Sequence, residues 1–244
     1  MAKEVFSRHE LKFLINDVTY KAIYDALKPH LIPDTYGDGQ GQYTISNIYY
    51  DTADNLFHYE KMRSQSFRQK LRLRTYNHNT LNDIAFLEIK KKYKRFVNKR
   101  RTAMTLKDAY HFLEQTGPSK EHYEASNQQI LKEVYFLKNF YKLVPKVLLS
   151  YERQAFVGIE EKELRITFDK NLRKRNENFR LETGSHGEVF LAPDVFVLEI
   201  KLSTQMPLWL ANILSDFRCF MQSFSKYSTS YNDIDMWTID KKLV

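Results

Sequence analysis

The chain has 244 residues, of which 28% are charged and 43% hydrophobic, a composition typical of a globular protein that buries a substantial core. Its single cysteine, Cys219, excludes an internal disulfide and a multi-cysteine zinc site, and no apolar run reaches the roughly 18 residues that a membrane span needs. The net charge of +8 predicts an anionic partner. Because the N-terminus is charged and lacks the apolar core of a signal peptide, we expect a cytoplasmic protein.

Strand-like and helix-like segments alternate along the chain. Helices are predicted after Asn16 or Asp17, from Thr105, from Ser126 and from Pro207, the last running through PLWLANILSDFRCFMQSF. The polar segment 173–188 is predicted to be a mobile loop, and Asp51 to cap a short helix that follows it. Strands are predicted at 4–15, 43–51, 67–77, 84–93, 95–104, 146–158, 163–170 and 194–203. We therefore expect one α+β domain over residues 1–244, a closed eight-stranded antiparallel β-barrel with helices packed outside.

Charged and apolar side chains alternate on most of these strands. Residues two apart on a strand share a face, so Lys70, Arg72 and Arg74 lie opposite Leu71 and Leu73. On any single strand, a solvated charged face explains this pattern. Its repetition on five or six strands, mainly with arginine and lysine, favours a polar, basic barrel interior with the apolar residues turned outward under the helices. The other charged positions on that face are Arg8, Glu10, Lys12, Glu88, Lys90, Lys92, Arg165, Asp169, Glu199 and Lys201, and Arg153 lies on a further strand.

A basic interior of this kind requires a compensating anion. Two like charges about 6.6 Å apart repel by roughly 2.5 kcal/mol at an effective dielectric constant near 20, so interleaved carboxylates or a bound polyanion must offset them. Arginine binds phosphate with a planar fork and lysine with a compact charge. A glutamate can hold a divalent cation that bridges to phosphate oxygens. These residue types together suggest metal-assisted chemistry on a polyphosphate.

Eight stretches, RHELKFLI, SNIYYDTAD, KLRLRTY, FLEIKKKY, SYERQAF, LRITFD, VLEIKL and SKYSTSY, span residues 8–231. In this order they resemble the VTC domain, the polyphosphate polymerase branch of the triphosphate tunnel metalloenzymes. The resemblance implies an eight-stranded tunnel that binds ATP with Mn²⁺ or Mg²⁺ and transfers the terminal phosphate to polyphosphate or pyrophosphate. A triphosphatase of the same fold and a non-catalytic polyphosphate-binding module are the alternatives. A nucleic-acid partner is disfavoured, because the basic residues alternate along strands instead of lining an exposed helix.

The resemblance also implies site residues. Glu199 matches the metal-binding glutamate, with Glu10 and Glu88 ranked below it. The opening Arg8-x-Glu10-x-Lys12 replaces the Glu-x-Glu-x-Lys that is usual in the hydrolase branches, which favours the VTC branch. Any membrane channel would be a separate partner chain, through which the protein could associate with the inner face of a membrane. The implied catalytic residues are Lys12, Arg72, Arg74, Lys90, Arg153 and Lys226, and the implied cofactor- and substrate-binding residues are Arg8, Lys70, Arg165 and Lys201.

The densest basic run of the sequence lies at residues 90–101. Lys91 and Lys94 are assigned to a solvated outer face or turn. Whether the remaining cations guide substrates to one mouth of the barrel is left open. Those cations are Arg95, Lys99, Arg100 and Arg101.

Overall fold

The structure is a computed structural model that describes residues 9–94, 96–115, 122–203 and 205–231. It is an α+β fold in which each of the eight predicted strands has a counterpart. The strands are β1 (His9–Asn16), β2 (Leu31–Pro33), β3 (Gln42–Asp51), β4 (Phe67–Tyr76), β5 (Ile84–Tyr93), β6 (Phe96–Thr105), β7 (Val144–Gly158), β8 (Arg165–Arg175), β9 (Glu188–Val189) and β10 (Val195–Leu202). The helices are α1 (Asp17–Leu27), α2 (Leu56–Met62), α3 (Leu106–Glu114), α4 (Gln128–Phe140), α5 (Leu208–Asp216) and α6 (Lys226–Thr229), with short 3₁₀ helices at Lys28–His30 and Leu181–Thr183.

The described residues form two compact units. The first contains residues 45–150 and 174–187, and its strands are ordered β7-β3-β4-β5-β6. The second contains residues 9–44, 151–173 and 188–231, and its strands are ordered β1-β10-β8-β7. The β3–β4, β4–β5 and β5–β6 pairs of the first unit and the β1–β10 and β10–β8 pairs of the second are antiparallel.

The first unit buries the apolar face of its strands under helices. Leu71 and Leu73 of β4 and Leu87 of β5 are fully buried in a cluster with residues of α3 and α4. Thr105 starts α3 as predicted, because its hydroxyl accepts a hydrogen bond from the Asp108 amide at 3.1 Å. Each buried leucine contributes about 1.5–3 kcal/mol relative to an exposed one.

The second unit repeats this arrangement with different helices. Phe13 of β1, Leu198 of β10 and Ile166 of β8 pack in one buried cluster with residues of α1 and α5. Asn16 caps α1, and its side chain accepts from the Thr19 amide at 2.8 Å. In each unit the apolar positions of the alternating strands therefore face helices, as the sequence predicts.

Asp51 has the capping role predicted for it. One carboxylate oxygen accepts from the amides of Thr52 at 2.8 Å and Phe57 at 2.9 Å, and the other from the amide of His58 at 3.0 Å. Asp51 therefore satisfies the otherwise unpaired amides at the start of α2.

The helix predicted from Pro207 is shorter than expected. It ends at Asp216, and the prediction of a helix through Cys219 was wrong. Arg218 adopts a left-handed conformation (φ 50°), and the Cys219 amide donates back to the Leu214 carbonyl at 2.8 Å, a closure typical of helix C-termini. Beyond this turn the Gln222 amide donates to the Lys12 carbonyl at 2.8 Å, so the segment runs alongside β1. Burial raises the pKa of the Cys219 thiol to about 11, so the thiol is protonated and unreactive at neutral pH.

The segment 173–188 is more ordered than the loop predicted there. Strand β8 continues to Arg175, and a 3₁₀ helix forms at Leu181–Thr183. The Arg175 guanidinium donates to the Arg180 carbonyl at 3.0 Å and to the Thr183 hydroxyl at 3.2 Å, which holds the turn in place.

Closure of the strands into a barrel is not shown. In the part of the chain that the structure describes, β1 pairs with β10 and β6 pairs with β5, and neither strand has a second neighbour. The same residues include no helix with the length and apolar character required to cross a bilayer.

Candidate functional site

In the first unit, three cations converge on the buried carboxylate of Glu88. Arg72 Nε and Nη2 each lie 2.7 Å from Oε2 of Glu88, because the two residues are directly opposite across β4 and β5. Lys99 Nζ lies 2.7 Å from Oε1, and Arg74 Nε lies 3.7 Å from Oε2. We call these four residues the Glu88 cluster.

Two residues of β3 hold the arginines of the Glu88 cluster in place. The Asn47 side-chain oxygen accepts from Arg74 Nε at 2.7 Å, and the Tyr49 hydroxyl accepts from Arg72 Nη1 at 3.0 Å. Both contacts follow from the β3–β4 register, in which Asn47 is opposite Arg74 and Tyr49 is opposite Arg72. The guanidinium groups are therefore positioned before any ligand arrives.

The protonation states of the Glu88 cluster follow from burial and charge. Burial alone would raise the pKa of Glu88, but Arg72, Arg74 and Lys99 outweigh it and hold that pKa well below its ordinary value. Burial lowers the pKa of Lys99 to about 7, with Glu88 opposing the shift and the two arginines adding to it. Glu88 is thus ionised at neutral pH, and Lys99 titrates near neutrality.

Further predicted cations occupy the strand positions next to this cluster. Lys70 of β4 is opposite Lys90 of β5, and Lys90 is opposite Lys99 of β6. The register and the alternation of strand faces put all three on the same face as Arg72. The structure therefore brings Lys70 and Lys90 to the neighbouring row of the Glu88 cluster.

In the second unit, two cations bind the buried carboxylate of Asp169. Arg153 forms a bidentate pair with it, with Nε 2.6 Å from Oδ1 and Nη2 2.8 Å from Oδ2. Lys226 Nζ lies 2.6 Å from Oδ2 and 4.7 Å from the centre of the Tyr151 ring. Against the effect of burial, Arg153 and Lys226 lower the pKa of Asp169.

Glu199 lies close to the two cations that bind Asp169. Lys201 Nζ lies 3.1 Å from its Oε1, and Lys12 is opposite it across β1 and β10. Burial would raise the pKa of Glu199, but Lys201, Lys12 and the two cations bound to Asp169 hold it well below its ordinary value. The Lys12 ammonium also donates to the Phe224 carbonyl at 3.1 Å. We call Lys12, Arg153, Asp169, Glu199, Lys201 and Lys226 the Asp169–Glu199 cluster.

The remaining predicted site residues lie at the margin of the second unit or outside the described part. Arg165 pairs with Asp34 at 2.5 Å and donates to the Tyr43 hydroxyl at 3.1 Å, so its guanidinium binds the connection that precedes β3 and the start of β3 itself. Glu10 is exposed and lies opposite Lys201. Arg8 lies outside the described residues.

Glu199 has the properties of a carboxylate that could share a metal ion with a substrate. It is ionised, and its cross-strand neighbour Thr167 has a buried hydroxyl with no hydrogen-bond partner among the described residues. Magnesium is commonly held by one or two carboxylates together with substrate phosphates. Glu88 fits this role less well, because Arg72 and Lys99 each lie 2.7 Å from one of its oxygens, whereas Lys201 lies 3.1 Å from Glu199. Over the described ranges, no group of three histidine, cysteine, aspartate or glutamate side chains is placed to hold a metal by itself.

Comparison with known proteins identifies the family. The VTC domain family matches residues 7–234, which is nearly the whole chain and spans both compact units. The chain belongs to the VTC domain family. No curated protein matches this VTC domain significantly.

Several solved structures are similar to this VTC domain. HpAC1 from Hippeastrum, an adenylyl cyclase candidate described as having a dominant triphosphatase activity, is 15% identical, with 90% of this chain and 92% of that chain covered and a TM-score of 0.49. A protein of Vibrio parahaemolyticus assigned as an adenylate cyclase is 15% identical, with 94% and 100% covered and a TM-score of 0.43. The PH1819 protein of Pyrococcus horikoshii is 14% identical, with 92% and 98% covered and a TM-score of 0.44. These scores are too low for the likenesses to support an argument about function.

Sequence reasoning missed two members of the clusters in this VTC domain. The alternation predicts Asp169 on the charged face of its strand but does not assign it to the site, although its spacing from Arg165 is a sufficient signal. The sequence leaves the role of Lys99 open, and only the β5–β6 register, which puts it opposite Lys90, assigns it to the face of the Glu88 cluster. By contrast, Arg100 pairs with Glu133 of α4 at 2.7 Å, on the helix-covered face.

Proposed function

We propose that this VTC domain is a metal-dependent polyphosphate polymerase that transfers the terminal phosphate of ATP onto polyphosphate or pyrophosphate. The observation that carries this proposal is an excess of cations over carboxylates in each cluster. Glu88 alone faces three cations, and Asp169 and Glu199 together face four. Because several cations gathered in a partly buried site repel one another, such clusters favour binding of a polyanion.

The proposed roles follow from these contacts. Arg72 and Arg74, already fixed by Tyr49 and Asn47, would bind phosphate oxygens and offset the charge that develops during transfer. Lys90 would add a phosphate contact beside them. In the other cluster, Lys12, Arg153 and Lys226 are the proposed phosphate contacts, supported by Lys201, whereas Arg8, Lys70 and Arg165 are proposed as additional substrate contacts.

The proposed reaction is an in-line phosphoryl transfer. A terminal oxygen of the acceptor phosphate attacks the γ-phosphorus of ATP, the bond from that phosphorus to the bridging oxygen of ADP breaks, and ADP leaves with the electron pair. The acceptor is then one phosphate longer. When bound, Mn²⁺ or Mg²⁺ would neutralise charge on the phosphate oxygens, and Glu199 is its proposed ligand.

Polymerisation is favoured over hydrolysis by the low pKa values of the carboxylates. Hydrolysis with a carboxylate as the base that activates water is disfavoured, because Glu88, Asp169 and Glu199 all have pKa values lowered by surrounding cations, which makes them poor bases. A phosphate acceptor brings its own nucleophilic oxygen. We also propose that the eight strands close into the tunnel that the resemblance implies and that the chain is a single catalytic domain. The same proposal includes a cytoplasmic location and a separate membrane partner.

Product analysis tests the proposal. The protein is incubated with ATP and Mn²⁺, with and without pyrophosphate, and the products are separated on a gel. We expect phosphate chains longer than any input with the wild type and none with Glu199→Ala. Glu133→Ala is the matched control, because this glutamate pairs with Lys91 and Arg100 and belongs to neither cluster.

Other outcomes would overturn the polymerase proposal. Orthophosphate release without chain growth would identify a triphosphatase. Tight polyphosphate binding without turnover, with either divalent metal, would identify a binding module. Unchanged chain growth in Glu199→Ala would remove the assigned role of Glu199.

A further inference from the structure

One end of the β4–β5–β6 sheet carries a row of exposed aromatic side chains. Phe67 opens β4, Tyr93 closes β5 and Phe96 opens β6, and the strand register puts Phe67 opposite Tyr93 and Tyr93 opposite Phe96. Their exposed fractions are 43%, 54% and 62%. Directly opposed residues project from the same face of a sheet, so the three rings form one surface, here called the aromatic row.

The aromatic row extends the apolar face of the first unit beyond its helices. Phe67 is on the same face of β4 as Leu71, and Tyr93 is on the same face of β5 as Ile89, yet both of these aliphatic residues are fully buried. The Lys94 amide donates to the Ser66 carbonyl at 2.7 Å, which ties the β5–β6 turn to the start of β4. The row is therefore a fixed exposed apolar surface, a feature that marks interaction sites.

The two segments that carry the aromatic row are strongly basic, and the described carboxylates that bond to them include Glu60 and Glu133. Residues 61–70 contain four lysines and arginines and residues 90–101 contain eight, and neither segment contains an aspartate or glutamate. Arg68 and Lys92 are opposite each other one position from the row, on the other face of the sheet. Exposed Lys94 lies over the Tyr93 ring, with Nζ 5.4 Å from its centre. A partner of this surface must therefore be both anionic and able to accept aromatic rings.

We propose that the aromatic row docks this protein on an anionic lipid bilayer surface. If the sheet approaches the bilayer with its strand ends, the rings enter the interface while cations on both faces meet lipid phosphates. A nucleic acid lying across the sheet would contact one face and meet either the rings or the Arg68–Lys92 pair. A second copy of this chain would bring the same positive charge to the same surface and be repelled.

Vesicle sedimentation without nucleotide tests the docking proposal. The protein is mixed with vesicles of phosphatidylcholine, alone or with phosphatidylglycerol added. We expect binding only to the anionic vesicles, weakened by high salt, and a loss of about 10-fold in the Phe67→Ser/Tyr93→Ser/Phe96→Ser variant. Lys94→Gln should weaken binding by about fivefold, the effect of one cation at such a surface.

The matched control is Phe136→Ser/Phe140→Ser, which removes a stacked, exposed aromatic pair from α4 in the same unit. This variant should bind vesicles like the wild type. Equal vesicle binding by the two multiple variants would overturn the proposal. It would also be overturned if RNA bound as the anionic vesicles do and lost affinity in the triple variant, or if light scattering showed a dimer that the triple variant abolishes.

The docking proposal is independent of the proposed catalytic function. The triple variant lies outside both charged clusters, so its chain-elongating activity in solution should equal that of the wild type. Vesicle binding without catalysis would contradict only the proposed function, and catalysis without vesicle binding would contradict only the docking.

Discussion

The two charged clusters use carboxylates in different ways. In the Glu88 cluster one carboxylate organises all three cations, with Arg72 and Lys99 each at 2.7 Å. In the Asp169–Glu199 cluster the tasks are divided, because Asp169 binds Arg153 and Lys226 whereas Glu199 has Lys201 as a close partner at 3.1 Å. Under the proposed function, this difference would separate carboxylates that position phosphate-binding cations from Glu199 as the proposed metal ligand.

The largest expected effect comes from removing a positioning carboxylate. Asp169→Asn would leave Arg153 and Lys226 buried without their counter-charge, so we expect the free energy of unfolding to fall by about 3–5 kcal/mol. Urea denaturation measures this change. The control is Asp34→Asn, whose partner Arg165 is partly exposed and which should cost about 1 kcal/mol or less. Equal small losses in both variants would show that Asp169 does not organise its cluster.

Metal dependence should distinguish Glu199 from Glu88. We expect Glu199→Gln to raise the Mn²⁺ concentration required for half-maximal activity by about 10-fold or more, because even the loss of a residue that only orients a metal ligand costs about 10–100-fold. Glu88→Gln should leave that concentration unchanged and instead raise the KM for ATP, because Arg72 and Lys99 lose their common partner. Activity titrated with Mn²⁺ at saturating ATP measures the difference. Identical metal dependence of the two variants would contradict the proposed division of roles.

A pH titration should separate Lys99 from the other cations. Its pKa of about 7 lies below the ordinary 10.5, so between these values the unfolded chain holds more protons and the contribution of Lys99 to stability rises with pH. Affinity for phosphate changes in the opposite sense, because the amine loses its charge as pH rises through 7. As pH rises through 7, we expect the wild type to lose about fivefold more affinity for tripolyphosphate than Lys99→Arg loses. Parallel pH profiles from calorimetry would contradict this prediction.

The smallest effect is expected on the helix-covered face of the first unit. Glu133 pairs with Lys91 and Arg100 at 2.7 Å, but all three side chains are partly exposed. Glu133→Gln should lower the free energy of unfolding by about 1 kcal/mol or less, because exposed ion pairs are weak. Thermal denaturation measures this change. A loss as large as that of Asp169→Asn would show that partly exposed ion pairs stabilise the fold as much as buried ones do.

Most of the strands and the division of their faces could be predicted from the sequence. Alternation of charged and apolar residues is local information, and it correctly placed Leu71 and Leu73 under helices and Arg72 and Arg74 together on the other face. The end of α5 could not be predicted in this way. The apolar pattern continues past Asp216, whereas a left-handed Arg218 and a hydrogen bond to the β1 backbone decide where the helix stops.

The sequence by itself determined the supply of cations and carboxylates and the strand faces on which they lie, because these depend on residue type and spacing. Only the tertiary structure decided which carboxylate receives which cation. Lys99 meets Glu88 through the register of a hairpin, and Lys226 meets Asp169 from a helix far along the chain. Such pairings depend on distances across the fold and on burial, which residue type and spacing along the chain do not determine.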